Sequence, residues 1–395
     1  MSADQSSKVP VHGKCDPQFE PLRQIFEKHL SSGHENGGSI HVSIAGKSVV
    51  DLWGGYKDEK RTKPWTEDTI GPIWSTTKTV TALAVLLLVD RGLLDVDAPV
   101  TKYWPEFAGD GRNDVLVRHL LSHTSGFPGW PTHLETEELY DIPAAADKLV
   151  NQSPWWKPGS QFGYETFTFG YILDGLVRRV SGKPLIQLIR EELAVPREAD
   201  FYLGVPESEW GRIAELTPPP PLKKELLNPE GMFMRVIMSG SPDVQEPATP
   251  GFRLAGMGAA GGFSNARALN RILSIVSLNG TVDGQQFLSP STIDQIFRVQ
   301  ANGLDVVTNR PVRFGIGFGL PMPEAEGTEI EWMLDGRVCY WTGWGGSIGM
   351  MDLDNQMTIT YTMNRMGAGF GATDRTADYV TTIYECLKIS RASRI

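Results

Sequence analysis

Cysteine is scarce in this chain. Cys15, Cys339 and Cys386 are odd in number and far apart, so no disulfide framework is written into it. No Cys-x-x-Cys or Cys/His spacing proposes a metal site, and no cofactor is implied. Clusters of Lys and Arg are missing too. With 37 basic against 47 acidic residues the net charge is −10, which excludes a broad nucleic-acid surface, because phosphate binding needs clustered cations. The longest apolar run, Ala82 to Val89, is far too short to span a bilayer, so no membrane partner is expected. The N-terminus shows no apolar stretch after a basic start, and a cytoplasmic location is the expectation.

What is present is ordinary globular chemistry, 41% apolar and 21% charged, with material for a sizeable core. Residues 1–16 read as a flexible N-terminal segment. Phe19, Leu22, Ile25, Phe26 and Leu30 then recur at helical spacing and predict a helix over 17–31. Period-two alternation over 39–44, a Gly-bearing turn and 48–53 predict a hairpin. Residues 75–90 lack Gly and Pro, carry a broad apolar face and stop at Gly92, which predicts a buried helix beginning at or next to Ser75. Shorter helices are expected at 114–122, 171–181, 184–194 and 265–278. Thr217 to Leu222 is a stiff polyproline segment, and 223–255 shows no clear periodicity, so 217–255 is expected as a lid or cleft insertion. Strands are expected again at 313–319, 339–341, 347–352 and 357–363, before a final helix over 373–389. This order fits an α+β fold, an α/β sandwich whose antiparallel sheet draws strands from both chain ends. Residues 17–70 and about 265–395 would form the α/β part and about 71–264 a mostly helical part of one unit, 17–395.

Three segments carry chemistry. In Trp74-Ser75-Thr76-Thr77-Lys78 the serine and lysine lie at i and i+3, on one face of a helix. A serine hydroxyl needs a base to become a nucleophile, and a lysine becomes that base when burial lowers its pKa. The plain alternative is a helix N-cap with a solvated lysine, and the apolar helix around Lys78 argues against it. Tyr164, in the Gly-flanked Phe162-Gly-Tyr-Glu-Thr-Phe167, can bring a phenol to a nucleophile or simply pack under a loop. Tyr340 to Ser347 enters a strand through glycines, where backbone N–H groups can meet a substrate oxygen or merely make a tight turn.

Taken in order, Ser75-x-x-Lys78, Tyr164 and Trp341-Thr342-Gly343 resemble the three-motif pattern of serine β-lactamases and penicillin-binding proteins. The tyrosine version is similar to class C enzymes and the related family VIII carboxylesterases and acyltransferases. The stretches 51–56, 120–126 and 256–266 match as well, so the resemblance covers roughly residues 17–390. It implies a β-lactamase/transpeptidase-like fold, Ser75 as the acylated nucleophile, Lys78 as its base and Tyr164 as proton relay. It implies an oxyanion hole from the backbone N–H groups of Ser75 and Trp344. His123 lies in one of the matching stretches and is expected to be structural.

Two departures matter. The third position of the tyrosine motif is Thr166 where an Asn or Ser is usual, and Trp341 replaces the lysine that faces a β-lactam carboxylate. Trp341, Gly343, Trp344, Trp156, Phe127 and Thr166 are the expected substrate-binding residues, within an aromatic supply that also includes Trp130 and Trp155. The expected partner is a small-molecule ester or acyl donor, with hydrolysis first and transfer to an alcohol as the alternative.

Overall fold

The computed structural model describes residues 9–221, 228–322 and 330–389. Residues 1–8 of the expected N-terminal segment, 222–227 of the expected insertion and the last residues of the chain lie outside it. A six-stranded antiparallel sheet is built from β1 (Val11–Cys15), β2 (Gly37–Ile44), β3 (Lys47–Gly55), β4 (Val338–Thr342), β5 (Ile348–Asp352) and β6 (Met357–Met363), in the spatial order β1-β3-β2-β6-β5-β4. Strands from both chain ends thus meet at β2 and β6.

The strands β2 and β6 are buried on both faces, and their alternation sorts two kinds of side chain. Ile40, Val42, Ile359, Tyr361 and Met363 belong to the apolar core with α1 (Glu20–Ser32) and the C-terminal helix Asp374–Cys386. The opposite face carries Ser43, Thr358 and Thr360, which need hydrogen-bond partners once water is excluded. The helix Ala266–Ser277 supplies them. Asn270 accepts from Ser43 at 2.7 Å and donates to the Thr358 carbonyl at 2.8 Å, while Thr360 donates to the Ala266 carbonyl at 2.7 Å.

On the other side of that layer lies α2 (Thr77–Asp90), buried from Thr77 through Leu88. A helix enclosed all round has no polar face to show, which explains the continuous apolar run in its sequence. Among the described residues no helix is long and apolar enough to cross a membrane.

Several expectations change. Residues 11–15 are not a loose leader. They pair with β3 from Val11↔Gly54 to Cys15↔Val50, and Arg23 donates to the Val11 and Gly13 carbonyls. Backbone pairing carries this strand, so its sequence shows no alternation. The expected strand 313–319 is a short ribbon, Pro311–Phe314 against Ala301–Leu304, because Gly315 and Gly317 bend the chain away. Within 223–255 the helix Met232–Ser239 forms. It buries Phe233 and Val236 and exposes Arg235 and Met238, and at eight residues it is too short for its spacing to stand out.

The sheet and the C-terminal helix are locked by a buried ion pair, Arg375 with Glu35 at 2.7 Å, both side chains at most 1% exposed. Tyr361 donates to the same carboxylate, and Arg375 also donates to the Arg365 carbonyl at 2.6 Å, fixing the end of β6. Substituting Arg375→Met leaves Glu35 buried without its cation. Chemical denaturation should show a loss of about 3–5 kcal/mol, and a loss below about 1 kcal/mol would contradict this role.

Candidate active site

Ser75 sits in the single turn Trp74–Thr76 that leads into α2, and it keeps 8% of its surface open. Trp74 takes the left-handed conformation, with φ 47°, which side chains other than glycine seldom adopt. Its indole is wedged between Phe252 and Trp344, at ring distances of 5.7 and 5.1 Å, and that packing holds the turn.

One helical turn further on, Lys78 is fully buried. Its Nζ lies 3.2 Å from Ser75 Oγ, 2.8 Å from the Thr166 carbonyl and 3.0 Å from the Ala259 carbonyl. The two carbonyls take two N–H bonds, so the remaining position on Nζ faces the serine oxygen. Burial pushes Lys78 well below the usual lysine value, opposed by the negative charge of Glu165. A neutral amine there points its lone pair at the serine proton. A pair so placed has the geometry that a base and a nucleophile would need.

The Tyr164 hydroxyl donates to the same Ser75 oxygen at 2.8 Å, and Lys78 Nζ stands 4.9 Å from the Tyr164 ring centroid. Burial pushes the phenol up to about 12, with hydrogen bonds to Ser75 and Trp341 pulling the other way. The tyrosine loop is anchored on His123, whose carbonyl accepts from Gly163 N–H at 3.0 Å and whose Nδ1 accepts from Glu165 N–H at 3.2 Å. Accepting at Nδ1 places the imidazole proton on Nε2. Burial, then the charge of Lys78, hold His123 well below its ordinary value, so it is neutral. Its ring is packed among Tyr164, Phe169, Phe314 and Trp341 at 5.0–5.2 Å.

The end of β4 is stitched to the serine turn. Ser347 Oγ donates to the Ile73 carbonyl at 2.9 Å and lies 2.9 Å from Thr76 Oγ1. Gly343 makes this approach possible: a Cβ there would lie 2.2 Å from the Ile73 carbonyl oxygen. Among the described residues no protein acceptor takes the backbone N–H of Ser75 or of Trp344, so both remain available to a substrate oxygen.

Beside these groups opens a cavity of about 380 Å³, walled mainly by Tyr164, Phe314, Tyr340, Trp341 and Phe370, with Asp305, Thr308 and Arg310 adding polar groups. Trp341 and Phe314 stack at 5.5 Å and 17°. Thr166 meets the site through its backbone carbonyl. Two expected contacts fall elsewhere. Phe127 is fully buried in the core against Phe107, with its ring away from the cavity. Trp156 packs with Phe233, Val236 and Val307 in an apolar cluster against which Tyr164 and Phe370 also rest, so it backs two of the cavity walls without lining the cavity. Sequence reasoning missed the wall residues Phe314, Tyr340 and Phe370, which only the fold brings together, and Glu165, whose place inside the tyrosine motif was a signal. Among the described residues no cluster of His, Cys, Asp or Glu could hold a metal ion.

The chain is similar to known proteins along most of its length. The profile of the Beta-lactamase family matches residues 22–382. The chain is 31% identical to the Esterase/beta-lactamase LipL of Mycobacterium tuberculosis, over 92% of this chain and 85% of that protein. It is 29% identical to Esterase EstB of Burkholderia gladioli, over 78% of this chain and 81% of that one. The crystal structure of a family VIII carboxylesterase superposes with a TM-score of 0.86 at 33% identity, covering 96% of this chain and all of the other.

The Gly343 contact yields a direct test. Gly343→Ala should push the β4 end from the Ile73 carbonyl and lower ester turnover by about 100-fold or more, the cost of losing one oxyanion donor. Its melting temperature should fall as well, because the added Cβ meets backbone and two packed hydroxyls, at a cost of about 1–3 kcal/mol. Unchanged turnover would show that the close approach is dispensable.

Proposed function

Because the chain belongs to the beta-lactamase family, we propose that it is a serine carboxylesterase that cleaves esters of apolar small molecules through an acyl-enzyme on Ser75. The observation that carries this is one oxygen with two partners: Ser75 Oγ meets both Lys78 Nζ and the Tyr164 hydroxyl.

In the first step Lys78 takes the Ser75 proton while Oγ bonds the ester carbonyl carbon. The carbonyl oxygen, now negative, is received by the N–H groups of Ser75 and Trp344. Collapse of the tetrahedral adduct breaks the bond to the leaving oxygen, which takes its proton from Tyr164; the proton on Lys78 then restores the phenol. In the second step water attacks the acyl carbon and gives its proton to this pair. Ser75 regains a proton as the acid leaves.

The apolar cavity beside Tyr164 supports an apolar substrate. Trp341 offers an indole wall where a β-lactam carboxylate would need a cation, which favours plain esters over penicillins. The same aromatic walls supply a place for an alcohol, so transfer of the acyl group to an alcohol is the second reading. Added alcohols that divert product from the free acid would establish it.

A fluorophosphonate should add its mass to the Ser75 peptide, and Ser75→Ala should lower p-nitrophenyl butyrate turnover by about 10⁴-fold or more. No adduct on that peptide, or turnover kept in Ser75→Ala, would overturn the acyl-enzyme. Benzylpenicillin hydrolysed as efficiently as the butyrate would overturn the argument from Trp341.

A further inference from the structure

The tyrosine loop holds a group that the acyl-transfer steps leave unused. Glu165 stands between Tyr164, which bonds Ser75, and Thr166, whose carbonyl bonds Lys78, and it is fully buried. Its side chain meets the 123–127 segment, where Ser125 Oγ donates to Oε1 and itself accepts from the Phe127 amide at 3.3 Å. Its other oxygen, Oε2, is buried with no hydrogen-bond partner among the described residues. A half-satisfied buried acid is costly to keep, and an apolar residue would fill the same space without that cost.

The charged and titratable groups that surround it come from four elements: Lys78 from α2, His123 from the 123–127 segment, Tyr164 from its own loop and Asp305 from the turn over 305–308. His123 is neutral, and Tyr164 stays protonated in the working range. Asp305 Oδ1 accepts from the Val307 and Thr308 amides at 2.9 and 2.7 Å. Glu165 is next in the chain to Thr166, whose carbonyl accepts from Lys78 Nζ at 2.8 Å, and a carboxylate there would raise the proton affinity of Lys78.

We infer that Glu165 is a positioning residue that ties the tyrosine loop to the 123–127 segment and supplies the counter-charge for Lys78 as it accepts the Ser75 proton. The inference rests on the acyl-transfer reading of Ser75. When the proton passes from Oγ to Nζ and the Oγ–carbon bond forms, an ammonium arises on a side chain with no exposed surface. A carboxylate at Glu165 offsets that ammonium, and a neutral carboxyl leaves it alone.

This arrangement sets a pH dependence. Burial pushes Glu165 up to about 8, with the Ser125 hydrogen bond opposing and Asp305 adding to the rise. Above that value proton transfer to Lys78 creates an ion pair. Below it the transfer creates a lone buried cation, so acylation slows as pH falls. Removing the Asp305 charge lets Glu165 ionise at lower pH and moves the limb down.

The test is the acylation rate and kcat/KM of the full chain on p-nitrophenyl butyrate between about pH 6 and 10, with thermal melting, for wild type and three variants. Wild type should show a rising limb centred near 8. Glu165→Gln should lose the limb and fall about 100-fold at the alkaline end, with KM changed less than about twofold. Glu165→Asp should restore the limb, and Asp305→Asn should shift it to lower pH. A wild-type limb in Glu165→Gln would overturn the inference. So would an equal loss at every pH that merely tracks a lower melting temperature. Fluorophosphonate labelling of Ser75, read in each protein, separates the two claims. An unlabelled wild type sinks the acyl-enzyme and this inference with it, whereas a labelled enzyme whose limb ignores Glu165 sinks this inference alone.

Discussion

An amine kept away from water is the constraint on which the site depends. Lys78 has no exposed surface, and its three neighbours on Nζ come from three separate parts of the chain: Ser75, the Thr166 carbonyl and the Ala259 carbonyl. Burial lowers the proton affinity of the amine, and the two carbonyls aim what remains of its chemistry at the serine. For that burial α2 must be enclosed on every side, which is why the helical layer packs around it and the sheet lies beyond. The tyrosine loop must reach in to supply Thr166, and in doing so it brings the Tyr164 hydroxyl to the same serine oxygen.

The sheet contributes its edge. β4 ends at Thr342; the next residue, Gly343, lets the chain touch the Ile73 carbonyl, and the Ser347 hydroxyl ties the two together. The turn that carries Ser75 and the chain leaving β4 are therefore one packed unit, with the Trp74–Trp344 contact across it. Trp341, stacked on Phe314, turns the outer side of this unit into an apolar cavity wall. Machinery and substrate wall share a strand, so a change in either is felt by the other.

Much of this was legible in the sequence, for local reasons. The alternation of Ile359, Tyr361 and Met363 marks a strand because one face is apolar core, and the run from Thr77 to Leu88 marks a helix with no wet side. Ser75, Lys78 and Tyr164 stand out because their spacing and their glycine neighbours are local. What was hidden depends on distant chain. β1 exists through backbone pairing with β3 and carries little side-chain signal. Phe127 reads as a cleft aromatic but faces Phe107, a partner no local pattern names. Phe314, Tyr340 and Phe370 become a cavity wall only when the Pro311–Phe314 ribbon, β4 and the loop around 370 converge. Glu165 looks like a surface acid until the fold shows it without solvent.

The protonation state of Lys78 tests the account most directly. A ¹⁵N NMR titration of the lysine amines, with the Lys78 signal assigned by its loss in Lys78→Arg, reads it without any substrate. The account predicts a neutral amine at neutral pH, with a midpoint well below the usual lysine value of about 10.4. An ammonium signal at Lys78 that persists to the ordinary lysine midpoint would contradict it.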